Sequence, residues 1–435
     1  MRIENIAIVG YNKNVDGLLR LLKDNSKVIT DKTGILLNIK AIYEENSQII
    51  NKDIIKEETI ITQSLDKILC DNEIHILVES IDDIKKSRET TIKAINKGKN
   101  IVLSNKGLLA QYGEEIFTLA KEKNIHLCYE SCVGGGIPII DVVKEDLLAN
   151  NIKEIYAILN GPSNYILTQL ENKSASLDEL IMEVKDKGYT ETDPSLDISG
   201  IDSAYKIAIL SMIAFKTIIP FNKIYVEGIQ NISKIDLNFA EQLNCKIKLL
   251  SIAKKYNDKI DVRVHPTMLP KKYMLSKVRD EFNAIYLKSD MVGSTIHYGR
   301  GAGAYAIGSA IASDIMSIAR ELFACSEKRT PPFGFYGEYH QEYPIIDIDD
   351  ISSFFYLRFT VFDKPGVLSK IAGVLGKYDI SINAAIQPEI VSDDNYVPLV
   401  FTTHETKGKN VKSALEEIEL LGLTKNKVMV VRVEK

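Results

Sequence analysis

Short apolar runs separated by longer amphipathic segments organise the first 130 residues of the chain. The runs cover Ile3–Val9, Gly34–Ile42, Ile74–Val78, Asn100–Leu103 and Ile125–Tyr129, and each predicts a strand. Strands that are apolar along their whole length are buried on both faces, as in parallel sheets that helices cover. The pattern therefore predicts an open, mostly parallel α/β sheet of the Rossmann-like class.

The stretch 186–215 joins a polar loop to a helix that is apolar on nearly every side. Ser199 is the predicted N-cap of this helix, and Asp202 three residues later completes the spacing of a capping box. Asp202 and Lys206 lie four residues apart on one helical face. A helix this apolar is normally buried, and a buried lysine is costly unless it is paired. The pattern indicates a functional lysine beside carboxylates. The alternative is a helix cap with an ordinary ion pair.

The turn after the first strand is the place where a dinucleotide-binding fold carries three glycines that admit a diphosphate. Gly10 occupies the first of these positions, but Asn12 and Val15 occupy the second and third. From the residues alone, this is a strand-to-helix turn whose purpose is open.

Polar side chains also follow other predicted strands, at the sheet edge where ligands bind in this fold class. Glu44 follows the second strand, where an acid would hold a ribose hydroxyl and repel a 2′-phosphate. The alternative is a solvated loop residue. Ser104 and Lys106 follow the strand at 100–103, and for Lys106 the alternative is again a solvated loop position.

The second half of the chain predicts different units. Beyond residue 151 the strands are longer and partly alternating, and the segment 328–345 reads as an ordered linker with prolines and glycine-aromatic pairs. The segment 353–435 predicts strand, helix, strand, strand, helix and strand in that order, which is the ferredoxin-like arrangement.

Length and composition limit the class of protein. A chain of 435 residues is too long for one core and predicts two or three domains. The net charge of -5 argues against a nucleic-acid partner, and no apolar run is long enough to span a membrane. The five cysteines lack metal-ligand spacing, so a reduced, cytoplasmic protein is expected.

Long sequence blocks carry a family resemblance. Four of them occur in the order S-N-K-G-L-L-A, E-S-C-V-G-G-G-I-P-I-I, L-N-G-P-S-N-Y-I-L-T and G-Y-T-E-T-D-P-S-L-D-I-S-G-I-D-S-A-Y-K. With V-R-V-H-P-T and Y-G-R-G-A-G further along, the chain resembles the homoserine dehydrogenases. The C-terminal D-K-P-G-V-L-S-K-I-A-G-V-L resembles an ACT domain.

The resemblance implies an organisation and a reaction. The implied units are a Rossmann-like nucleotide-binding domain over 1–130 completed by a helix at about 304–328, a catalytic and dimerisation domain over 131–303, a linker over 329–352, and an ACT domain over 353–435. The implied reaction interconverts L-homoserine and L-aspartate 4-semialdehyde with NAD or NADP. The implied assembly is a homodimer or homotetramer. Glu44 favours NAD.

The resemblance also implies the site residues. Catalysis falls to Lys206 and Lys106, and which of them moves the proton is left open. The implied substrate-binding residues are Glu191, Asp197, Asp202 and Asn164. The implied cofactor-binding residues are Gly10, Asn12, Val15, Glu44, Ser104, Gly301 and Gly303.

Two further ligand sites follow from the resemblance. A monovalent cation, Na⁺ or K⁺, is expected at Glu130, Val133, Gly135 and Ile137, although the glycines there also suit a loop that only needs positive φ. An amino-acid effector, threonine in the first instance, is expected at Asp363, Gly366, Val367, Leu368 and Asn383. The alternative is an ACT unit that serves oligomerisation alone.

The departures from the family pattern gather in blocks that face the dinucleotide. The family usually has glycines in place of Asp82 and Asp83 and a proline in place of Arg300, besides the glycines replaced by Asn12 and Val15. Two hypotheses follow. The chain is either a working dehydrogenase with an unusual cofactor mode, or a non-redox paralogue that binds an amino acid as a sensor or regulatory subunit.

Overall fold

A six-stranded parallel sheet forms the first part of the molecule. The computed structural model describes residues 2–173, 175–190, 193–324, 331–335, 342–388 and 396–434. The strands of this sheet are β1 (Arg2–Val9), β2 (Ile35–Tyr43), β3 (Ile60–Thr62), β4 (Ile76–Glu79), β5 (Asn100–Leu103) and β6 (Leu127–Cys128). The strand order β3-β2-β1-β4-β5-β6 confirms the predicted Rossmann-like class. The short strand β3 was not predicted.

Helices connect these parallel strands. They are α1 (Lys13–Asp24), α2 (Ser26–Thr33), α3 (Leu65–Leu69), α4 (Ile84–Asn96) and α5 (Lys106–Glu122). Because the order of the strands reverses between β1 and β4, a crevice opens at their carboxyl ends, where α1 and α4 also begin.

A second, mixed sheet carries the middle of the chain. Its strands are β7 (Ile152–Ile158), β8 (Tyr225–Val226), β9 (Cys245–Lys255), β10 (Ile260–Pro270), β11 (Phe282–Ser289) and β12 (Ser294–Arg300). The helices of this part are α6 (Ile139–Asp141), α7 (Gly161–Asn172), α8 (Leu177–Asp186), α9 (Ser195–Ser199), α10 (Ile201–Phe215) and α11 (Lys234–Gln242). The apolar helix α10 is buried against β7, β9 and β10, as its composition predicts.

The chain then returns to the first sheet as α12 (Ala304–Ala324), which packs along α1. Glycines allow the close contact. A Cβ on Gly17 would lie 2.2 Å from the carbonyl oxygen of Ala304, and a Cβ on Gly308 would lie 2.6 Å from the amide nitrogen of Leu18. The glycine at position 17 therefore serves helix packing.

The C-terminal unit has the six predicted elements in the predicted order, with the short strand β16 in addition: β13 (Ser352–Phe362), α13 (Val367–Lys377), β14 (Ile382–Ile386), β15 (Tyr396–Thr403), β16 (Thr406–Lys407), α14 (Gly408–Leu420) and β17 (Met429–Val433). The last strand, β17, also pairs in parallel with β10, with Thr267 opposite Arg432 and Met268 opposite Val433. One sheet of eleven strands therefore runs from the middle of the chain into the C-terminal unit. The hydrophobic pattern did not predict this junction.

Part of the predicted linker 329–352 is described, and it is ordered there. Phe333 is fully buried, with its ring centroid 5.2 Å from that of Phe117. The Tyr129 hydroxyl donates to the carbonyl oxygen of Pro332 at 2.7 Å. Positions 329, 330 and 336–341 of the linker lie outside the described residues. Within the part of the chain that the structure covers, no helix combines the length and the apolarity that a membrane crossing requires.

Candidate active site

The first turn of α10 brings two of the predicted site residues together. Gly200, with φ of 84°, is the residue before this helix, and Ser199 instead ends the short helix α9, so the prediction of Ser199 as N-cap is wrong. A left-handed backbone suits glycine, and it turns the chain sharply from α9 into α10. Asp202 and Lys206 are 6% and 9% exposed and form an ion pair of 2.6 Å between Oδ2 and Nζ.

Lysines from two helices share the Asp202 carboxylate. Lys106, the first residue of α5, lies with its Nζ 3.1 Å from Asp202 Oδ1. Lys206 donates to Asp202 Oδ2 and also to the carbonyl oxygen of Leu159, at 2.7 Å, just after β7. The structure thus joins the two predicted lysines, 100 residues apart in sequence, at one buried carboxylate.

A residue that the sequence analysis missed holds the second carboxylate in place. The side-chain amide of Asn160 donates to Asp197 Oδ1 at 2.6 Å and to Asp202 Oδ2 at 2.8 Å. Asp197 also accepts from the Thr190 hydroxyl. The available sequence signal was a polar residue placed directly after a buried strand and before the Gly-Pro start of α7.

The electrostatics of the two carboxyls differ. Burial raises the pKa of Asp197, and the nearby charge of Asp202 raises it further. Burial alone would also raise the pKa of Asp202, but Lys206 and Lys106 outweigh it and hold that pKa below its usual range. The two lysines therefore favour the charged form of Asp202, while Asp197 is the carboxyl that takes up a proton more readily.

One other predicted substrate residue is described, and it lies in a different part of the molecule. Glu191 is outside the described residues. The Asn164 side chain is 1% exposed and faces a separate loop, donating to the carbonyl oxygens of Asp280 and Phe282 at 2.9 and 3.2 Å and accepting from Lys248. The structure does not bring Asn164 into the cluster around Asp202.

The turn after β1, where cofactor-binding residues are predicted, lies at the carboxyl edge of the first sheet. Gly10 has φ of 87° and packs so tightly that a Cβ would lie 2.7 Å from the carbonyl oxygen of Ser80. Glu44 accepts from the amide of Tyr11 at 2.9 Å and from the amide of Asn46 at 3.0 Å, so its carboxylate lies beside the turn.

The Asn12 side chain occupies the start of α1. Its Oδ1 accepts from the amides of Asn14 and Val15 at 3.1 and 3.3 Å, and its Nδ2 donates to the carbonyl and hydroxyl oxygens of Ser80 at 3.1 and 3.0 Å. Free amides at this helix start are the usual seat of a phosphate. The strand order, the Gly10 turn and Glu44 fit a nicotinamide dinucleotide, while these two amides are already capped.

Several residues in and beside the predicted cofactor site make contacts that support the fold. Asp83 caps α4 by accepting from the amide of Lys86 at 2.8 Å. The Ser104 amide donates to the carbonyl oxygen of Glu79 at 3.0 Å. Gly301 packs against Gly135, whose added Cβ would lie 2.5 Å from the Gly301 carbonyl oxygen, and Gly303 directly precedes α12.

The loop after β6 surrounds buried carboxyls. The carboxylate of Glu130 accepts from the amides of Ile140 and Asp141, both at 2.9 Å. The backbone amide of Glu130 donates to the Asp314 carboxyl. Burial, then the charge of Asp141, raises the pKa of Glu130 to about 7. Burial, then Glu130, raises the pKa of Asp314 above its usual range. Across the described residues, no group of three or more His, Cys, Asp or Glu side chains is arranged to hold a metal ion.

The predicted effector positions surround the start of α13. Gly366 precedes the helix with φ of 89°, and Val367 and Leu368 form its first turn. Gln387, just beyond β14, donates to Asp363 at 3.4 Å, and Asn383 on β14 donates to the Thr402 hydroxyl at 3.2 Å. The loop 363–366 between β13 and α13, called the effector loop below, therefore lies beside the edge strand β14.

Comparisons with known proteins agree with this architecture. Residues 16–130 match the NAD-binding domain of homoserine dehydrogenase, residues 138–316 match the homoserine dehydrogenase family, and residues 355–420 match the ACT domain. A homoserine dehydrogenase of Neisseria gonorrhoeae is 36% identical, with 100% of this chain and 99% of that protein covered.

Solved structures give the same result. The crystal structure of a homoserine dehydrogenase from Thiobacillus denitrificans superposes with a TM-score of 0.92 at 35% identity, covering 100% of this chain and 99% of that one. A hyperthermophilic archaeal homoserine dehydrogenase in complex with NADPH has a TM-score of 0.62 at 27% identity, covering 73% of this chain and 98% of that one. With a relative that is 36% identical over its full length and matches to the NAD-binding, catalytic and ACT domains, the chain belongs to the homoserine dehydrogenase family.

Proposed function

We propose that this chain interconverts L-homoserine and L-aspartate 4-semialdehyde with a nicotinamide dinucleotide. The observation that carries the proposal is the Asp202 carboxylate shared by Lys206 and Lys106 beside the sheet edge that fits a dinucleotide. The relatives named as homoserine dehydrogenases match over the full chain, and no observation favours the non-redox paralogue.

The chain's own residues divide the work. The nicotinamide, when bound, takes or gives the hydride at the carbinol carbon. Lys206 accepts the hydroxyl proton as the neutral amine in the oxidative direction and donates it as the ammonium in the reverse direction, and Lys106 polarises the same oxygen. Asp197, with Glu191, binds the ammonium of the amino acid, while Asp202 keeps both lysines oriented.

The test is direct. The full chain is mixed with L-homoserine and either NAD⁺ or NADP⁺, and the absorbance of the reduced nicotinamide is followed. We expect reduction that depends on L-homoserine and is absent with L-serine, whose hydroxyl is one carbon too close to the ammonium. Binding of L-homoserine without reduction of either dinucleotide would favour the non-redox alternative.

NAD is the preferred cofactor in this proposal, and Asn12 weakens its binding. Glu44 would repel a 2′-phosphate. The Asn12 cap withholds two amides from the diphosphate. Replacing Asn12 by glycine should tighten NADH binding by about ten-fold because the amides become free, measured by fluorescence titration without substrate.

Asn25→Gly is the matched control, since Asn25 follows α1 and precedes α2 without a side-chain capping bond. It should leave the NADH affinity unchanged. Tighter binding of NADPH than of NADH by the native chain would contradict the preference, and weaker NADH binding by Asn12→Gly would contradict the role of the cap.

The proposal includes a monovalent cation, Na⁺ or K⁺, at the backbone carbonyls of the loop from Glu130 to Ile137. Hard cations prefer oxygen ligands. Two buried carboxyl groups, those of Glu130 and Asp314, lie beside this loop, and a cation held there would stabilise their charged forms.

The ACT unit binds an amino-acid effector in this proposal, and the effector alters the rate or the assembly of a homodimer or homotetramer. The shared sheet supports coupling, because β17 pairs with both β13 of the ACT unit and β10 of the catalytic part. L-Threonine is expected to release or absorb heat on titration and to change the rate or the mass measured by light scattering.

Asn383→Ala should abolish the threonine response and leave the rate without effector unchanged, since Asn383 is exposed beside the effector loop. Asn410→Ala is the control, because Asn410 also donates to a threonine hydroxyl but from α14. A native chain with no heat, no rate change and no mass change in threonine would contradict this assignment.

A further inference from the structure

The amide of Asn160 is the only described side chain that bonds to both active-site carboxyls. It follows β7 and precedes α7, and it is 3% exposed. Its two N–H bonds run to Asp197 Oδ1 at 2.6 Å and Asp202 Oδ2 at 2.8 Å. Its Oδ1 accepts from the amide of Ser163 at 2.8 Å, which caps α7. Asn160 therefore presents only N–H donors to the two carboxyls, since its oxygen is turned toward α7.

The charges around this bridge are unevenly placed. Both lysines of the cluster, Lys206 and Lys106, pair with Asp202. Asp197 lies outside these ion pairs, and its two oxygens accept from Asn160 and Thr190, which are neutral donors. No other described charged group is within ion-pair distance of Asp197. Its ionised form therefore depends on these two hydrogen bonds more than Asp202 does.

Two buried carboxylates close together tend to share a proton, which leaves one of them neutral. A donor between them lowers that tendency, because each N–H stabilises the negative charge that it faces. The planar amide also fixes how far apart the two oxygens sit. Asparagine is suited to this position because aspartate would add a third carboxylate and serine would be too short to bridge.

We propose that Asn160 is a positioning residue that keeps Asp197 ionised beside Asp202, so that Asp197 can receive the substrate ammonium. The inference rests on the proposed function, in which Asp197 binds that ammonium. It assigns to Asn160 a role in substrate affinity and in its dependence on pH, not in proton transfer.

The test compares Asn160→Asp and Asn160→Ser with the native chain. Both keep an acceptor for the α7 cap, and both remove the two amide donors. We expect KM for L-homoserine to rise by about ten-fold at neutral pH with a smaller change in kcat. We also expect the acidic limb of kcat/KM to move to higher pH, further for the aspartate variant. Calorimetric binding of L-homoserine should weaken in parallel.

Ser176→Ala is the control for a capping loss, because Ser176 caps α8 with a capping box at an exposed site. It should lower the melting temperature slightly and leave the pH profile in place. If the Asn160 variants lower kcat/KM equally at every pH, or leave it unchanged, the proposed role is overturned. An inactive native chain would instead count against the proposed function.

Discussion

Replacing Lys206 by alanine is expected to lower kcat by about two or more powers of ten, which is the usual contribution of a general acid or base. Lys206 is buried and its ammonium contacts only Asp202 and the Leu159 carbonyl among the bonds that the structure describes. Lys106→Ala is expected to reduce kcat by a comparable amount, because Lys106 approaches the same carboxylate from the other side. Steady-state rates with saturating L-homoserine and dinucleotide measure both effects.

The fold should survive in both variants, since Asp202 keeps one lysine partner and the Asn160 amide in each case. Lys187→Ala is the matched control: Lys187 also forms an i,i+4 ion pair, with Glu183, but its side chain is 43% exposed. Its kcat should remain near that of the native chain. Near-normal rates in both active-site variants would show that the proton moves by another route.

Replacing Arg358 by alanine is expected to destabilise the chain by about 3 kcal/mol or more, because it removes the cationic partner of a buried carboxylate. Arg358 on β13 of the ACT unit donates to Asp236 Oδ1 at 2.6 Å and Oδ2 at 3.1 Å. Asp236 is fully buried and lies on α11 in the middle of the chain, within the catalytic part that matches the homoserine dehydrogenase family over residues 138–316. In the Arg358→Ala variant, the charge of Asp236 would remain buried, with hydrogen bonds only from Tyr356 and Ser233. Urea unfolding followed by circular dichroism measures the change.

Lys409→Ala is the control for a surface ion pair in the same unit. Lys409 pairs with Asp350 at 3.2 Å, and both side chains are more than half exposed. Exposed pairs contribute little, so its unfolding curve should coincide with that of the native chain. An Arg358→Ala curve that also coincides with the native one would mean that the ion pair between Arg358 and Asp236 contributes little to stability.

Local sequence patterns predicted much of the secondary structure for a physical reason. An apolar run such as 100–103 or an apolar helix such as α10 records its burial within a few neighbouring residues. The Ser199 cap failed because the same pattern also fits a tight left-handed turn, and Gly200 allowed the chain to take it. Asn12 stands where the dinucleotide-binding turn usually has a glycine, and only the structure shows that it is the N-cap of α1.

The sequence by itself determined the parallel sheet, the apolar helix with Asp202 and Lys206, the order of elements in the ACT unit and, through its long blocks, the family. Only the tertiary structure decided that Lys106 joins that pair, that Asn160 bridges Asp197 and Asp202, and that β17 continues the catalytic sheet. The reason is separation along the chain. Periodicity reports contacts between residues a turn or a strand apart, whereas these contacts join residues from 37 to more than 160 positions apart and depend on how whole elements pack.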